Sequence, residues 1–130
     1  DKISFMQGDA CNLTDKYTDY DLVFAGNLID RLYKPTDFLT SIKGRIRRGG
    51  LLVITSPYTW LEDFTPKENW LGGFKAQTGE SYTTLEGLMD NLSPEFDLVG
   101  HPQDIPFVIR ETARKFQHSV AEMSVWRKMG

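Results

Sequence analysis

A few residue types in this chain could bind or transform a small molecule. Gly8-Asp9-Ala10 places a carboxylate in a turn beside a small residue. A carboxylate there can accept hydrogen bonds from an adenine amino group while a neighbouring backbone N–H meets the ring. Gly-Asp is also a common turn, and alone the tripeptide decides nothing. Arg110 could hold a carboxylate through two hydrogen bonds, or pair with Glu111 or another surface acid. Between Tyr58 and Ser81 lie Trp60, Phe64, Trp70 and Phe74, enough aromatic surface to wall a binding pocket or simply to pack a loop. The single thiol, Cys11, would need an activating base to act as a nucleophile, and His101 and His118 are distant in sequence. Its spacing fits a small semi-buried residue in a reducing, cytoplasmic setting. Asp30-Arg31 reads as a solvated pair, and His118 as structural.

These residues must be placed by the elements around them. Ile3 to Met6 reads as a short strand ending in the Gly8-Asp9 turn. Tyr20 to Ala25 is an almost continuous apolar run closed by Gly26-Asn27, which predicts a central parallel strand buried on both faces. Pro35 opens a helix with Phe38, Leu39, Ile42 and Ile46 on one stripe, stopped by Gly49-Gly50. Arg45 to Arg48 then form its solvated end. Leu51 to Thr55 follows as a second buried strand. Strand, helix, strand makes a right-handed βαβ unit, with ligands at the carboxyl edge of its strands. The two ends there are Gly26-Asn27-Leu28 and Ser56-Pro57-Tyr58. Thr83 or Thr84 caps a helix whose apolar face is Leu85, Leu88, Met89 and Leu92. Phe96 to Val99 is a strand, and Val120 to Trp126 alternates as the last, antiparallel one.

The order Gly-Asp-Ala, then Asp19 to Leu32, then Gly49-Gly50-Leu51-Leu52-Val53-Ile54 resembles the later strands of Rossmann-like class I methyltransferases. The resemblance implies an α/β fold: a mostly parallel sheet with an antiparallel last strand. Thr55 to Pro66, Glu68 to Gly73 and Pro106 to His118 are similar, more closely, to the C-terminal methyltransferase domain of ovothiol-biosynthesis enzymes. Those enzymes couple a 5-histidylcysteine sulfoxide synthase to a 4-mercaptohistidine N-methyltransferase.

That likeness implies methyl transfer from S-adenosylmethionine to a ring nitrogen of a thiol-bearing histidine. Asp9 and Ala10 would hold the adenine, and Gly26, Asn27 and Leu28 the methionine part. Asn27 and Tyr58 would be catalytic. Tyr58, Trp60 and Trp70 would build the substrate pocket, with Arg110 on the substrate carboxylate. No metal is implied. A neutral imidazole is already a nucleophile, so most of the gain would come from alignment and exclusion of water. Aromatic walls would favour the sulfonium.

The family's first strand, glycine-rich turn and second strand have no counterpart in residues 1–130. The chain therefore reads as a partial methyltransferase domain, part of a multidomain parent and poor at binding cofactor by itself. An opening on Asp1-Lys2, without initiator Met or leader, fits an excised domain. The strand at Tyr20 to Ala25 would keep an open edge, which predicts pairing with a second copy. A net charge of −3 gives no nucleic-acid footprint, and no apolar run approaches a membrane span. Rival readings are a protein-interaction module built on the aromatic loop, a fragment of a different Rossmann-like transferase or dehydrogenase, and a degenerate methyltransferase-like scaffold.

Overall fold

The computed structural model describes residues 2–130. Its main sheet contains β1 (Tyr20–Gly26), β2 (Ile46–Ser56), β5 (Phe96–Leu98), β6 (Gln103–Thr112) and β7 (Lys115–Lys128). A two-stranded ribbon, β3 (Phe74–Lys75) with β4 (Ser81–Tyr82), stands apart from it. The helices are α1 (Pro35–Ile42) and α2 (Thr84–Leu92). The sheet runs β1-β2-β7-β5, with β6 paired to β7. β1 and β2 are parallel, whereas β7 is antiparallel to β2, β5 and β6. The expected parallel pair and antiparallel last strand are both present, but β1–β2 is the one parallel pair among the described strands, so the sheet is mixed rather than mostly parallel.

One face of the sheet is covered. Leu52 and Ile54 of β2 alternate inward, as do Val23 and Ala25 of β1 and Trp126 of β7. Against them pack Phe38, Leu39 and Ile42 of α1 and Leu88 and Leu92 of α2, in one cluster. Full burial of a Leu or Ile side chain contributes roughly 1.5–3 kcal/mol, so this cluster is the main source of stability. Burial on both faces, expected of β1, does not hold. Tyr20, Leu22 and Phe24, on its other face, are 43, 54 and 64% exposed. Among the described residues no helix covers that face and no strand pairs with the outer edge of β1.

Ile3 to Met6 is not a strand. Its residues are exposed and unpaired, because a ladder needs a partner and none of the described residues offers one. The first helix is shorter than its apolar stripe suggests, since β2 begins at Ile46. Gly49-Gly50 therefore lies inside a strand. Gly49 takes a positive φ of 82° at the irregularity between the Tyr20–Ile46 and Leu22–Leu51 pairs. A Cβ on Gly50 would stand 2.9 Å from the carbonyl oxygens of both Arg47 and Asp21. These glycines permit a bulge rather than stop a helix.

The basic run also changes character. Arg45 is buried: its Nε donates to Ser41 Oγ at 2.7 Å, and its guanidinium donates to the carbonyls of Leu13, Thr14 and Tyr17. One cation thus ties the segment before β1 to the end of α1. Arg47 pairs with Asp21 across the strands.

The capping residue of α2 is Thr83. Its side chain accepts the Glu86 N–H at 3.2 Å, and Glu86 accepts the Thr83 N–H at 2.8 Å, a reciprocal capping box. Leu71-Gly72 presses on this helix start. A Cβ on Gly72 would lie 2.2 Å from Thr84 N, and one on Gly87 would lie 1.8 Å from Leu71 O. Residues 103–112, which carry no clear strand pattern in the sequence, pair with residues 115–123 as a long hairpin. Pro106 is tolerated because β6 is an edge strand.

Candidate functional site

β1 and β2 end side by side, and the chain leaves each through strained backbone. Asn27, just after β1, has φ 50°, and Tyr58, just after β2, has φ 55°. Non-glycine residues seldom adopt this left-handed conformation, and it collects at ligand-binding positions. Asn27 is held by its N–H, which donates to Thr55 O at 2.7 Å. Its side-chain amide makes no hydrogen bond with the described residues and lines a cavity of about 200 Å³.

The wall on the strand-end side is Asn27, Asp30, Arg31, Pro57 and Thr59. Asp30, which the sequence suggests is solvated, is 1% exposed. It sits in a short 3-10 turn, Ile29–Arg31, and its Oδ2 accepts the Thr59 N–H at 2.9 Å. Arg31 Nη1 lies 3.8 Å from the same oxygen and donates to Thr59 O at 3.1 Å. The guanidinium also lies 4.7 Å from the centre of the Phe64 ring. The opposite wall is the long hairpin. Phe107 pairs with Ser119 and Ile109 with Gln117, and all four face the cavity. This hairpin wall has no counterpart among the residues marked as candidates from the sequence. Alternation from Phe107 and Ile109 could have pointed to it only once residues 103–112 were known to be a strand.

Tyr58 turns elsewhere. It lines a neighbouring hollow of about 420 Å³ bounded by Gly73, Phe74, Tyr82 and Thr84. Its phenol donates to Glu122 Oε1 on β7 at 2.8 Å. Burial, that hydrogen bond and the nearby Glu122 and Asp30 charges push the phenol well above the ordinary tyrosine range. Tyr58 therefore stays protonated, as a hydrogen-bond donor to Glu122, across physiological pH. Asn27 and Tyr58 stand on adjacent strand ends but do not face one cavity.

The two tryptophans are used internally. Trp60 is 8% exposed, and its indole N–H donates to Thr84 Oγ1. Trp70 donates to Thr65 O, and the rings stack with centroids 6.4 Å apart. The aromatic segment is a packed layer joining the strand end to α2, and neither indole lines the Asn27 cavity.

Arg110 lies on the hairpin, next to Ile109, so strand alternation sends its side chain to the opposite face from the cavity. Its Nε donates to Thr112 O. Asp9 Oδ1 accepts the Cys11 N–H at 2.9 Å in a tight turn, and Cys11 Sγ donates to Lys34 O at 3.4 Å. Ala10 and Leu28 pack partly buried on the core, while Gly26 closes β1 opposite Thr55. Asp9 and Ala10 line none of these hollows. A further hollow, of about 540 Å³, lies between the segment before β1 and α1, at the opposite end of β1 from Asn27. It contains Tyr20 and Arg45 and is an incompletely packed seam rather than a strand-end site. Among the described residues no group of three His, Cys, Asp or Glu side chains could hold a metal ion, and no helix is long and apolar enough to cross a membrane.

Comparison with protein-family models gives no match, and comparison with curated proteins gives none. Solved structures do match. One, described as converting a disulfide bond into a thioacetal group during echinomycin biosynthesis, superimposes with a TM-score of 0.60 at 13% identity, covering 94% of this chain and 54% of that one. A SAM-dependent methyltransferase from Methanosarcina mazei gives a TM-score of 0.53 at 14% identity, covering 94% and 65%. The chain thus spans between half and two thirds of these structures. It has the α/β, Rossmann-like class I methyltransferase fold, and the fold is what this likeness establishes.

Proposed function

We propose that this chain carries the substrate-side half of an S-adenosylmethionine-dependent N-methyltransferase site. The substrate we assign is a thiol-bearing histidine, methylated on a ring nitrogen as in ovothiol biosynthesis. One observation carries the reading. Asn27 offers a free side-chain amide from strained backbone, at the carboxyl end of a parallel strand, inside a small cavity.

The strand end beside the cavity would meet one end of the cofactor, leaving the cavity itself to the substrate. Gly26 brings bare backbone to the strand end, and the Asn27 amide can both donate and accept. When bound, the cofactor supplies an electrophilic methyl group. Everything else falls to the chain. Asn27 orients, with Gly26 and Leu28 shaping the strand end and Asp9-Ala10 reserved for the adenine. Phe107 and Ile109 exclude water from one side. Tyr58 acts as a positioning residue, fixing Glu122 and the end of β2. Alignment and dehydration are enough for a nitrogen that is already nucleophilic.

The remainder of the site, including a glycine-rich loop, would come from a longer chain covering the free edge of β1. The 54% and 65% coverage of the similar structures supports that arrangement. The test is methyl transfer to mercaptohistidine by the longest protein carrying these residues, compared with its Asn27→Ala variant. Unchanged turnover in the variant would sink the assignment.

A further inference from the structure

The Asn27 cavity holds a pair of opposite charges with unused capacity. Asp30 is almost wholly buried, and its Oδ2 takes both the Thr59 N–H and the approach of Arg31. Oδ1 receives no donor from the described residues. Among the described residues no sealed polar side-chain atom lacks a partner, so Oδ1 keeps an opening, and the cavity is the hollow that Asp30 lines. Arg31 is committed through Nη1 alone, to the carbonyls of Asp30 and Thr59. The guanidinium lies over the Phe64 ring, and Nε and Nη2 have no acceptor among the described residues. An anion-accepting edge and a cation-accepting oxygen therefore stand side by side, close to neutral as a pair.

An α-amino acid head group presents an ammonium and a carboxylate on one carbon. We infer that Asp30 and Arg31 form the head-group site of an amino-acid substrate, the ammonium on Asp30 and the carboxylate on Arg31. The anchoring role thus moves from Arg110, which faces away, to Arg31. The cavity volume of about 200 Å³ is below the ~300–1,000 Å³ of drug-sized sites and suits a single amino acid. Phe107 and Ile109 give its side chain an apolar wall, and Gln117 and Ser119 give it polar contacts. The inference rests on the proposed function only for the choice of histidine as probe. The charge pair itself asks for a zwitterion. The methionyl end of the cofactor carries the same chemistry, so the two sources must be separated.

Calorimetric titration of the 130-residue chain with L-histidine, histamine, imidazolepropionate and S-adenosylhomocysteine does this without requiring methyl transfer. The expected result is binding of L-histidine, at least tenfold weaker binding of histamine and of imidazolepropionate, and at least tenfold weaker L-histidine binding by Arg31→Gln. Arg110→Gln should bind like the wild type. Equal binding of L-histidine and histamine, or none of L-histidine, would overturn the site. Arg31-dependent binding of S-adenosylhomocysteine alone would return the pair to the cofactor and overturn its assignment to substrate. If Arg31→Gln does not fold, the wild-type ligand series still decides. L-Histidine binding without catalysis in the longer protein would leave this site standing while the methyl-transfer reading fell.

Discussion

The carboxylate of Asp30 accepts the backbone N–H of Thr59 at 2.9 Å, joining the turn after β1 to the turn after β2. Two parallel strand ends are thereby locked at the spacing the cavity requires. Replacing Asp30 by Ala orphans a part-buried N–H and should cost about 1–3 kcal/mol. Asp30→Asn keeps an acceptor oxygen and should cost less. Urea denaturation of both variants reads the difference.

Burial of the Tyr58 phenol against Glu122 has a pH signature. Its folded-state pKa is raised above the ordinary value of about 10. A raised pKa means that the protonated form is favoured in the fold. The contribution is complete below pH ~10 and is lost as pH rises through the folded value. Tyr58→Phe should therefore be less stable at neutral pH, by about 1–2 kcal/mol, and should lose less stability on going alkaline. Ultraviolet titration should also show two late tyrosines, Tyr58 and Tyr82. The Tyr82 phenol donates to Asp90 and, with some burial, is pushed up to about 12.

The contact between the aromatic segment and α2 is a steric prediction. Gly87→Ala puts a methyl into Leu71 O and should cost upwards of ~3 kcal/mol, since backbone rather than a flexible side chain must move. Thr83→Ala removes one half of the capping box and should cost about 1 kcal/mol. Thermal melts rank the two. Equal, small effects would mean that the segment is not seated on the helix.

Arg45 gives a test away from the site. Arg45→Met leaves the carbonyls of Leu13, Thr14 and Tyr17 without their donor and should destabilise by roughly 2–3 kcal/mol. Hydrogen exchange of residues 13–17 should rise first.

What the sequence revealed follows a physical line. The apolar run of β1, the Thr83 cap and the alternation near Trp126 are local patterns, and each marks a real element. The strand reading of Ile3 to Met6 failed because pairing is not local. The end of α1 was misplaced because Gly49-Gly50 has two uses, stopping a helix or permitting a bulge, and only the partner strand decides. Arg45 and Asp30 looked solvated because charge ordinarily means exposure, whereas each is buried with partners distant in sequence. Trp60 and Trp70 could have walled a pocket or packed a loop, and their N–H partners show packing. Within the candidate site, Asn27 was legible as a strand end. The hairpin wall was not, because Pro106 and several charged residues mask the period of β6.

Methyl transfer at the Asn27 cavity is tested most directly by kcat/KM for labelled methyl transfer to mercaptohistidine by the longest protein carrying these residues. Asn27→Ala should lower it by at least ~100-fold, the scale of a misaligned reacting pair, while Arg110→Gln should leave it within a few-fold of wild type. Wild-type turnover in a folded Asn27→Ala protein would contradict methyl transfer at this cavity.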